Sequence, residues 1–331
     1  MKAAYIENTG PPDAIQIGEI QPALPGPGKV QIRVQAVSVN PIDTYIRSGA
    51  VASEINDRYI IGCDAAGIIE SVGEGVQNFN IGDRVWCTNQ GLQGRQGTFA
   101  ELICIDEDWC YHLPDEVSFE TAAACALVGM TAHLGLFREA RLQAGEIVLC
   151  IGGTGGVGSM VVQMAKACGA RVLATAGSEE KHRRLLELGA DVAINYKQKA
   201  IETSVLQVAP KGVNVFWETR REPNFDQAIE VLSNRGRMVL MAGRDARPSF
   251  PVGPFYVKEC SLHGFVMFKA TALEMKTAAE EINRWMANGK LRPNISLQLP
   301  INQVVEAHRQ QEAATLRNEG NLSGKIILTF A

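Results

Sequence analysis

The chain has 331 residues, of which 46% are apolar and 21% are charged. This composition excludes a disordered chain, which could not bury enough apolar surface to offset the entropy of ordering. The net charge of −4 gives no basic footprint, so we expect no nucleic-acid partner and no membrane partner. The length predicts about two domains. Glycine is in excess, because 32 of the 331 residues is nearly 10%, whereas about 7% is average.

Cysteine usage and the N-terminus favour a cytoplasmic protein. The eight cysteines form no C-x-x-C pair and lie mostly in apolar runs, which predicts buried free thiols. The first residues lack the apolar core of a signal peptide. The uncharged stretch 147–165 is long enough to span a bilayer. Its five glycines favour a strand, a turn and a helix instead.

Residues 1–122 have the pattern of short strands and turns. Alternation of apolar and polar residues predicts strands at 30–34 and 67–72. Proline–glycine and glycine–aspartate pairs at 25–28 and 82–83 mark turns. This region is therefore predicted to be a β-rich domain.

Residues 123–263 change to an alternation of strands and helices. Strands are predicted at 147–151, 171–175, 192–195, 213–217 and 237–241, and helices at 156–168, 179–188 and 225–232. Strand–helix repetition indicates a parallel sheet covered by helices on both faces. The fold class is therefore α/β, with a doubly wound parallel sheet of the Rossmann type beside the β-rich domain.

From residue 264 onward, one strong helix is predicted at 273–288, with Gly289 as its C-terminal cap. A short helix at 304–310 and a final strand at 325–330 follow.

A glycine-rich turn follows the strand at 147–151. It matches G-x-G-x-x-G at Gly153, Gly155 and Gly158, between a strand and a helix. Such a turn lets bare backbone approach a pyrophosphate, which then lies at the N-terminus of the helix. The alternative is a tight structural turn. The predicted cofactor contacts here are Gly153, Thr154, Gly155, Gly156, Val157 and Gly158.

The end of the next strand favours NADP(H) over NAD. An NAD site usually has an acidic residue there, but Glu179 and Glu180 come slightly late. The small Gly177 leaves room for a 2′-phosphate, to which Ser178 could donate and with which Lys181 could pair. The alternative is that the basic run is only the solvated start of a helix.

Several motifs together resemble the zinc-independent quinone oxidoreductase (zeta-crystallin-like) branch of the medium-chain dehydrogenase/reductase superfamily. They lie at residues 39–49, 62–67, 82–85, 97–101, 129–132, 152–158, 175–180 and 324–326. The resemblance covers nearly the whole chain. It implies a GroES-like catalytic domain at 1–122, completed by 264–331, and a Rossmann NADP(H)-binding domain at 123–263.

The positions of the zinc ligands in zinc-dependent relatives hold other residues here. The first is Asn40, the second reads Cys63-Asp64, and the third falls near Val128. Amide and aliphatic side chains are poor zinc ligands, so we predict no metal. Without a Lewis acid, the acceptor must already be electrophilic, as quinones and α,β-unsaturated carbonyls are.

Three residues after the strand at 30–34 are the candidate catalytic group. Tyr45, predicted on a loop, could donate to substrate or to the nicotinamide ribose, and the resemblance places it at the cofactor. Asn40 could hydrogen-bond a carbonyl, and Asp43 could orient its neighbours. The alternatives are a turn device at Asn40-Pro41 and a core aromatic at Tyr45.

The resemblance implies further cofactor contacts. Thr131, expected at a helix start, and Tyr196, after the third strand, are two of them. Asn224 also aligns with a cofactor contact of the family, but this alignment is weaker. The others follow later strands: Ala242, Gly243, Arg244, Phe265, Val266 and Met267.

A departure from the family follows the strand at 213–217, where relatives usually have small residues. Arg220 and Arg221 could recognise an acidic substrate or the cofactor, or could belong to a solvated loop with Glu218 and Glu222 as partners. Among the histidines, His112, His182 and His308 are predicted to lie at the surface, and His133 and His263 in a core or interface.

The leading function is NADPH-dependent reduction of quinones or enones. The alternatives are an enoyl-thioester reductase, for which the two arginines would bind anionic groups, and a non-catalytic NADPH-binding protein of the crystallin or RNA-binding kind. The resemblance also implies a homo-oligomer, a homodimer or a tetramer. The apolar edge strand near 261–268 is a plausible dimer seam.

Overall fold

A computed structural model describes residues 1–53, 55, 57–317, 319 and 322–330. Its strands are β1 (Lys2–Ile6), β2 (Gln16–Glu19), β3 (Lys29–Val39), β4 (Tyr59–Ile60), β5 (Asp64–Val72), β6 (Arg84–Cys87), β7 (Leu102–Asp106), β8 (Cys110–His112), β9 (Ile147–Cys150), β10 (Arg171–Ala176), β11 (Val192–Asn195), β12 (Val213–Glu218), β13 (Leu232–Leu240), β14 (Ser261–Gly264), β15 (Ile295–Pro300) and β16 (Lys325–Thr329).

The α-helices are α1 (Pro41–Ser48), α2 (Phe119–His133), α3 (Gly156–Ala167), α4 (Glu179–Glu187), α5 (Ile201–Val208), α6 (Phe225–Val231), α7 (Val252–Val257), α8 (Ala272–Ala287) and α9 (Val304–Leu316). The predicted helix at 304–310 is longer than expected, and the predicted strand at 30–34 grows to the whole of β3. Gly289 has a φ of +70°, in keeping with its predicted role after α8.

The chain divides into two compact units. The first unit comprises residues 1–127, 268–287 and 292–331, and the second comprises 128–267 and 288–291. The first boundary falls inside α2, whereas the sequence placed it after residue 122. Both termini of the chain therefore belong to the first unit.

The first unit is built on a mainly antiparallel sheet of seven strands. Its order is β15-β16-β3-β5-β6-β8, and β7 also pairs with β3. The C-terminal β16 lies antiparallel to β3, with Ile326 opposite Val39, and β5 pairs on the other side with Asp64 opposite Ser38. Residues that are far apart in sequence therefore meet at one end of β16, β3 and β5.

The second unit contains a parallel sheet of six strands in the order β11-β10-β9-β12-β13-β14. Numbered within the unit, this is the 3-2-1-4-5-6 order of doubly wound nucleotide-binding folds. The direction of winding reverses between β9 and β12, and such a reversal opens a crevice at the carboxyl ends of the strands. The predicted α/β class is confirmed, and β14 lies at the sheet edge.

One helical stretch, Phe119–Glu139, is long and apolar enough to cross a membrane by those two criteria alone. Within its most apolar window, 78% is buried inside the structure, as in a core helix of a soluble protein. The stretch at 147–165 forms a strand, a turn and a helix, as predicted. All eight cysteines are free thiols, five of them buried.

Candidate functional site: a glycine turn and a buried polar cluster

The glycine turn connects β9 to α3 at the point where the sheet reverses its winding. Gly152 has a φ of +72°, a left-handed conformation that favours glycine. A Cβ on Gly158 would lie 2.2 Å from the carbonyl oxygen of Gly152, so the first turn of α3 packs directly on the loop backbone. A Cβ on Gly153 would lie 2.9 Å from that of Ala174 on β10. These glycines are required by packing within the chain.

Gly155 differs from these glycines because it is exposed, and a Cβ there would approach no atom of the described part of the chain more closely than 3.5 Å. It is the N-cap residue of α3, and no side chain among the described residues caps this N-terminus. Gly156 and Val157 are half-buried. A helix start with uncapped N–H groups and no side chain above it suits a pyrophosphate, because the helix dipole favours an anion there.

The end of β10 carries the residues predicted to choose between cofactors. Ser178 caps α4, and its Oγ accepts from the backbone N of Lys181 at 3.3 Å. Glu179 accepts from Asn195 Nδ2 at 3.0 Å and from Gln198 Nε2 at 2.9 Å. Its carboxylate is thus held by the β11 end of the sheet, which disfavours its use for a ribose diol. Ser178 and Lys181 are both half-buried.

Tyr196 lies beside Gly177 and is half exposed. A Cβ added to Gly177 would lie 2.4 Å from the Tyr196 hydroxyl oxygen. Tyr196 follows β11 directly and is 50% exposed. The structure therefore brings together the two predicted contacts at the ends of β10 and β11.

The segment after β12 faces the glycine turn across the reversal point. Thr219 Oγ1 donates to the carbonyl of Ile151 at 2.6 Å, and a Cβ on Gly152 would clash with that hydroxyl. Glu218 is fully buried and binds Arg220 through both carboxylate oxygens, with Nη2–Oε2 at 2.6 Å. The backbone N of Arg220 also donates to Glu218. Because Glu218 is fully buried at the end of a central strand, the solvated-loop interpretation is wrong for Glu218, but the predicted pairing of Glu218 with an arginine is confirmed for Arg220.

The other predicted cofactor residues of the second unit are scattered over several elements. Thr131 is buried near the C-terminal end of α2, so its predicted position at a helix start is wrong. Asn224 caps α6 by accepting from Gln227 N at 2.9 Å. Gly243 has a φ of +84°, and a Cβ added to it would lie 2.6 Å from the backbone carbonyl oxygen of Arg221. Ala242 and Arg244 flank it in the turn after β13.

Phe265, Val266 and Met267 follow the edge strand β14. The Phe265 ring packs on Trp217 with 6.4 Å between ring centroids, Met267 is buried, and Val266 is 46% exposed. The strand predicted over 261–268 ends earlier, at Gly264.

In the first unit, the predicted catalytic residues lie on a helix and not on a loop. Asn40 is the N-cap of α1, Pro41 follows it, and Asp43 Oδ2 accepts from the Asn40 backbone N at 2.7 Å. Asparagine followed by proline is a sequence signal for a helix start, which could have corrected the prediction. Tyr45 is half-buried in the middle of α1.

Asn40 belongs to a buried polar cluster, defined here as Ser38, Asn40, Asp43, Cys63, Asp64, Thr88 and Lys325. The Asn40 amide Nδ2 donates to Asp64 Oδ2 at 2.8 Å. Asp64 also accepts from Ser38 Oγ at 2.9 Å and from Thr88 Oγ1 at 2.6 Å. Asn40 and Asp64 are completely buried and Asp43 is 1% exposed.

Lys325 completes the polar cluster and was not identified as a site residue from the sequence. Its Nζ donates to the Val39 carbonyl at 2.9 Å and to Asn40 Oδ1, although 285 residues separate Lys325 from Asn40. Lys325 is only 4% exposed. The sequence held one signal, a lysine that directly precedes the apolar run of a final strand.

Burial dominates the protonation equilibria of the polar cluster. It raises the pKa of Asp43 from 3.8 to about 7, with nearby Asp64 adding to the rise and Lys325 opposing it. Burial also raises the pKa of Asp64 and lowers that of Lys325, although each charge partly offsets the effect on the other. The Cys63 thiol has a pKa well above its usual value, through burial and the two carboxyl groups. Cys63 is therefore a protonated thiol at neutral pH.

His308 contradicts its predicted surface position. It lies on α9 and is completely buried, and neither ring nitrogen has a hydrogen-bond partner among the described residues. Burial lowers its pKa to about 3, and the neighbouring Arg47 adds to the decrease. The sequence around His308 is polar, so it did not indicate that this histidine lies on the buried face of a helix.

A cavity of about 490 Å³ lies elsewhere in the first unit, between the β8 region and α8. Phe79, Cys110 and Tyr111 form part of its wall, with Lys276 and Glu280 from α8. None of the predicted site residues lines this cavity.

Comparisons with known proteins agree with this architecture. The family model described as "alcohol dehydrogenase GroES-like domain" matches residues 26–115, and the one described as "zinc-binding dehydrogenase" matches residues 156–284. A GroES-like unit joined to a parallel nucleotide-binding sheet defines the medium-chain dehydrogenase/reductase class.

Full-length relatives narrow this class. Quinone oxidoreductase from Lama guanicoe is 34% identical over 330 residues, which cover 99% of this chain and 97% of the relative. The structure of Escherichia coli quinone oxidoreductase complexed with NADPH has a TM-score of 0.84 at 27% identity, covering 99% of this chain and 100% of that one. A structure described as NAD-dependent alcohol dehydrogenase has a TM-score of 0.90 at 28% identity, with full coverage of both chains. The chain belongs to the quinone oxidoreductase branch of the superfamily.

Proposed function

We propose that this protein is an NADPH-dependent reductase of quinones or α,β-unsaturated carbonyls and that it works without zinc. The observation that carries the proposal is the glycine turn at the winding reversal of a six-stranded parallel sheet, in a chain whose relatives are quinone oxidoreductases. NADPH, when bound, supplies a hydride to an electrophilic acceptor.

The residues of the second unit fit this cofactor. The uncapped start of α3 above Gly155 is suited to hold the pyrophosphate. Ser178 and Lys181 are suited to hold a 2′-phosphate, because Glu179 is occupied by Asn195 and Gln198. Thr131, Tyr196, Asn224, residues 242–244 and residues 265–267 remain predicted contacts along the rest of the cofactor. The E. coli quinone oxidoreductase structure with NADPH supports the same choice.

The residues at the zinc-ligand positions do not suit a metal. Asn40 and Asp64 bond to each other, and Asn40 Oδ1 already accepts from the cationic Lys325. The Cys63 thiol is protonated, whereas zinc binds thiolate. The described part of the chain has no group of three or more His, Cys, Asp or Glu residues that could hold a metal.

The proposed roles in the first unit follow from these contacts. Tyr45 lies at a half-buried position of α1 and carries a phenolic hydroxyl that can donate a hydrogen bond. We therefore assign it the contact with substrate or with the nicotinamide ribose. Asn40 has its amide hydrogens and carbonyl oxygen engaged inside the chain, so we assign it a positioning role. Asp43, which accepts from the Asn40 backbone, is assigned the same role.

The enoyl-thioester alternative depends on arginines that could bind anionic groups. Arg220 uses Nε and Nη2 to bind Glu218, which neutralises its charge. This pairing weakens the case for Arg220 as an anion-binding group. Crotonyl-CoA nevertheless belongs among the test substrates.

We also propose, from the family resemblance, that the protein is a cytoplasmic homo-oligomer. The first unit is then the catalytic domain and the second the NADP(H)-binding domain. The edge strand β14 is available for pairing with a second copy, and light scattering on the purified protein would measure the oligomeric state.

The decisive experiment measures NADPH and NADH oxidation with 9,10-phenanthrenequinone, methyl vinyl ketone and crotonyl-CoA. We expect turnover with the quinone or the enone, and tighter binding of NADPH than of NADH. Faster turnover of crotonyl-CoA would favour the thioester reductase. Saturable NADPH binding without turnover of any acceptor would favour the non-catalytic alternative, and tighter NADH binding would refute the cofactor assignment.

A further inference from the structure

The first unit buries a lysine ammonium that the proposed reaction does not use. Lys325 is 4% exposed, and its side chain reaches two acceptors, the Val39 carbonyl and Asn40 Oδ1. Both acceptors lie where β3 ends and α1 begins. A buried ammonium is retained in a fold only where it is paired and hydrogen-bonded. The ammonium thus has a specific location at the start of α1.

The contact with Lys325 determines the orientation of the Asn40 amide. Because Oδ1 accepts from an ammonium, which only donates, Nδ2 must point the other way, towards Asp64 Oδ2 at 2.8 Å. The Asn40 backbone N is meanwhile bonded to Asp43 Oδ2. Three contacts therefore converge on the N-cap residue of α1, and they come from β16, β5 and α1 itself.

We propose that Lys325 is a positioning residue whose ammonium, by holding Asn40 Oδ1, fixes the start of α1 and hence the placement of Tyr45. The significance for turnover rests on the proposed function, which assigns Tyr45 to the substrate or cofactor. The effect on α1 itself does not depend on that function. The C-terminal strand would then be part of the catalytic apparatus and not only a closing strand of the sheet.

A purely structural role for Lys325 makes a different prediction. If the ammonium only offsets the charge of two buried carboxyl groups, its loss should lower global stability and leave α1 ordered in the folded molecules. If it positions Asn40, its loss should loosen α1 selectively. Local exchange and global unfolding separate these two roles.

The first experiment compares amide hydrogen exchange in Lys325→Met and Ile326→Val, without any cofactor. Ile326 is completely buried on the same strand, so Ile326→Val is a matched control for core packing. We expect α1 amides to exchange about tenfold faster in Lys325→Met than in the control, while exchange in α3 stays unchanged. Equal exchange of α1 in both variants would overturn the proposal.

A double variant keeps the test valid if Lys325→Met does not fold. Lys325→Met with Asp64→Asn removes the buried anion that the single variant leaves unpaired, and so restores charge balance. The Asn40 carbonyl oxygen still lacks its donor, so α1 should still exchange faster than in Asp64→Asn alone. Exchange equal to that of Asp64→Asn would assign Lys325 to charge balance only.

The second experiment measures turnover with the quinone. We expect kcat for Lys325→Met to fall about tenfold, because small displacements of a reacting group are costly. NADPH Kd should change by less than about threefold, since the glycine turn belongs to the second unit. An unchanged kcat in a variant with loosened α1 would refute the link to Tyr45. Absence of turnover in the wild type would refute the proposed function and leave the exchange result to decide on Lys325.

The pH profile adds a readout that lost packing would not move. The titratable groups that face Asp43 are Cys63, Asp64, Tyr59 and Lys325. Lys325 is the cation among them, and its removal favours the protonated form of Asp43. The acidic limb of kcat should therefore move to higher pH in Lys325→Met and stay in place in Ile326→Val. A limb that does not move would oppose the proposal.

Discussion

The glycine turn of the second unit and the polar cluster of the first unit differ in the groups from which they are built. The glycine turn of the second unit contributes backbone and leaves out side chains, and its glycines lie within seven consecutive positions, 152–158. The polar cluster of the first unit contributes buried side chains, two carboxyl groups and one ammonium among them, from β3, α1, β5 and β16. A local backbone site can be identified from a short motif, whereas a side-chain cluster exists only once distant strands have paired.

The comparison predicts that the glycine turn does not tolerate added atoms at positions where its backbone is closely packed. A methyl group at Gly158 would lie 2.2 Å from the Gly152 carbonyl oxygen, which is backbone and cannot move aside. We expect Gly158→Ala to weaken NADPH binding about a hundredfold and to cost about 3 kcal/mol of stability or more. Calorimetric titration with NADPH and denaturant unfolding would measure these effects.

Gly253→Ala is the control, because a Cβ there meets no atom within 4 Å in the part of the chain that the structure describes. Wild-type NADPH affinity in Gly158→Ala would show that the turn is not the cofactor site.

The polar cluster should make the free energy of unfolding depend on pH. The pKa of Asp43 is raised from 3.8 to about 7, so the folded state binds a proton more tightly than the unfolded state. Asp43 therefore stabilises the fold at low pH and loses this contribution as the pH rises from about 4 to about 7. We expect the wild type to lose about 3 kcal/mol of stability in this way between pH 4 and 8. In Asp43→Asn this loss should be absent.

Urea unfolding of the wild type and of Asp43→Asn across this pH range would measure the difference. Asp13→Asn is a matched control at an exposed aspartate of the same unit. Parallel pH curves for the wild type and Asp43→Asn would contradict the buried-cluster description.

The next prediction concerns the buried carboxylate of Glu218, which lies next to the glycine turn. It tests whether the stability of the second unit depends on an ion pair. Arg220→Ala would leave the fully buried Glu218 without its guanidinium. Loss of one partner of a buried pair costs about 3–5 kcal/mol, but the Arg220 side chain is 32% exposed and its backbone N still donates to Glu218. We therefore expect about 2 kcal/mol.

The double variant Arg220→Ala with Glu218→Gln should recover part of this loss, because no unpaired charge remains. A double-mutant cycle by thermal unfolding measures the coupling. A coupling near zero would show that the pair does not stabilise the fold, and a raised KM for crotonyl-CoA in Arg220→Ala would revive the anion-binding role.

The smallest expected effect concerns the helix cap at the end of β10. Ser178→Ala removes the Oγ acceptor of the Lys181 backbone N and should cost about 1 kcal/mol. If Ser178 also holds a 2′-phosphate, NADPH affinity should fall while NADH affinity stays the same. Ser118→Ala, which removes the Oγ acceptor of the Thr121 backbone N at the start of α2, is the control for stability alone. An equal loss of both cofactor affinities would assign Ser178 a purely structural role.

Two errors in the sequence-based predictions, at His308 and Thr131, share a physical cause, because a short stretch of sequence does not show how distant parts of the chain pack. His308 lies in a polar stretch, and nothing in its immediate neighbours indicates that packing buries it completely. Glu218, by contrast, directly follows the apolar strand at 213–217, which was an available sign of its burial. Thr131 was expected at a helix start because a local motif does not show where a long helix begins. The loop assignment of Tyr45 was different, since Asn40-Pro41 was an available start signal for α1.

The strand–helix alternation, the position of the glycine turn and the superfamily could be predicted from the sequence, because they depend on periodicity and on residues adjacent in the chain. The contact between Asn40, Asp64 and Lys325 could be seen only in the folded chain, since antiparallel pairing of β16 with β3 and of β3 with β5 brings the three segments together. The charge state of that cluster was likewise decided by burial, which raises the pKa of both carboxyl groups and cannot be inferred from residue order.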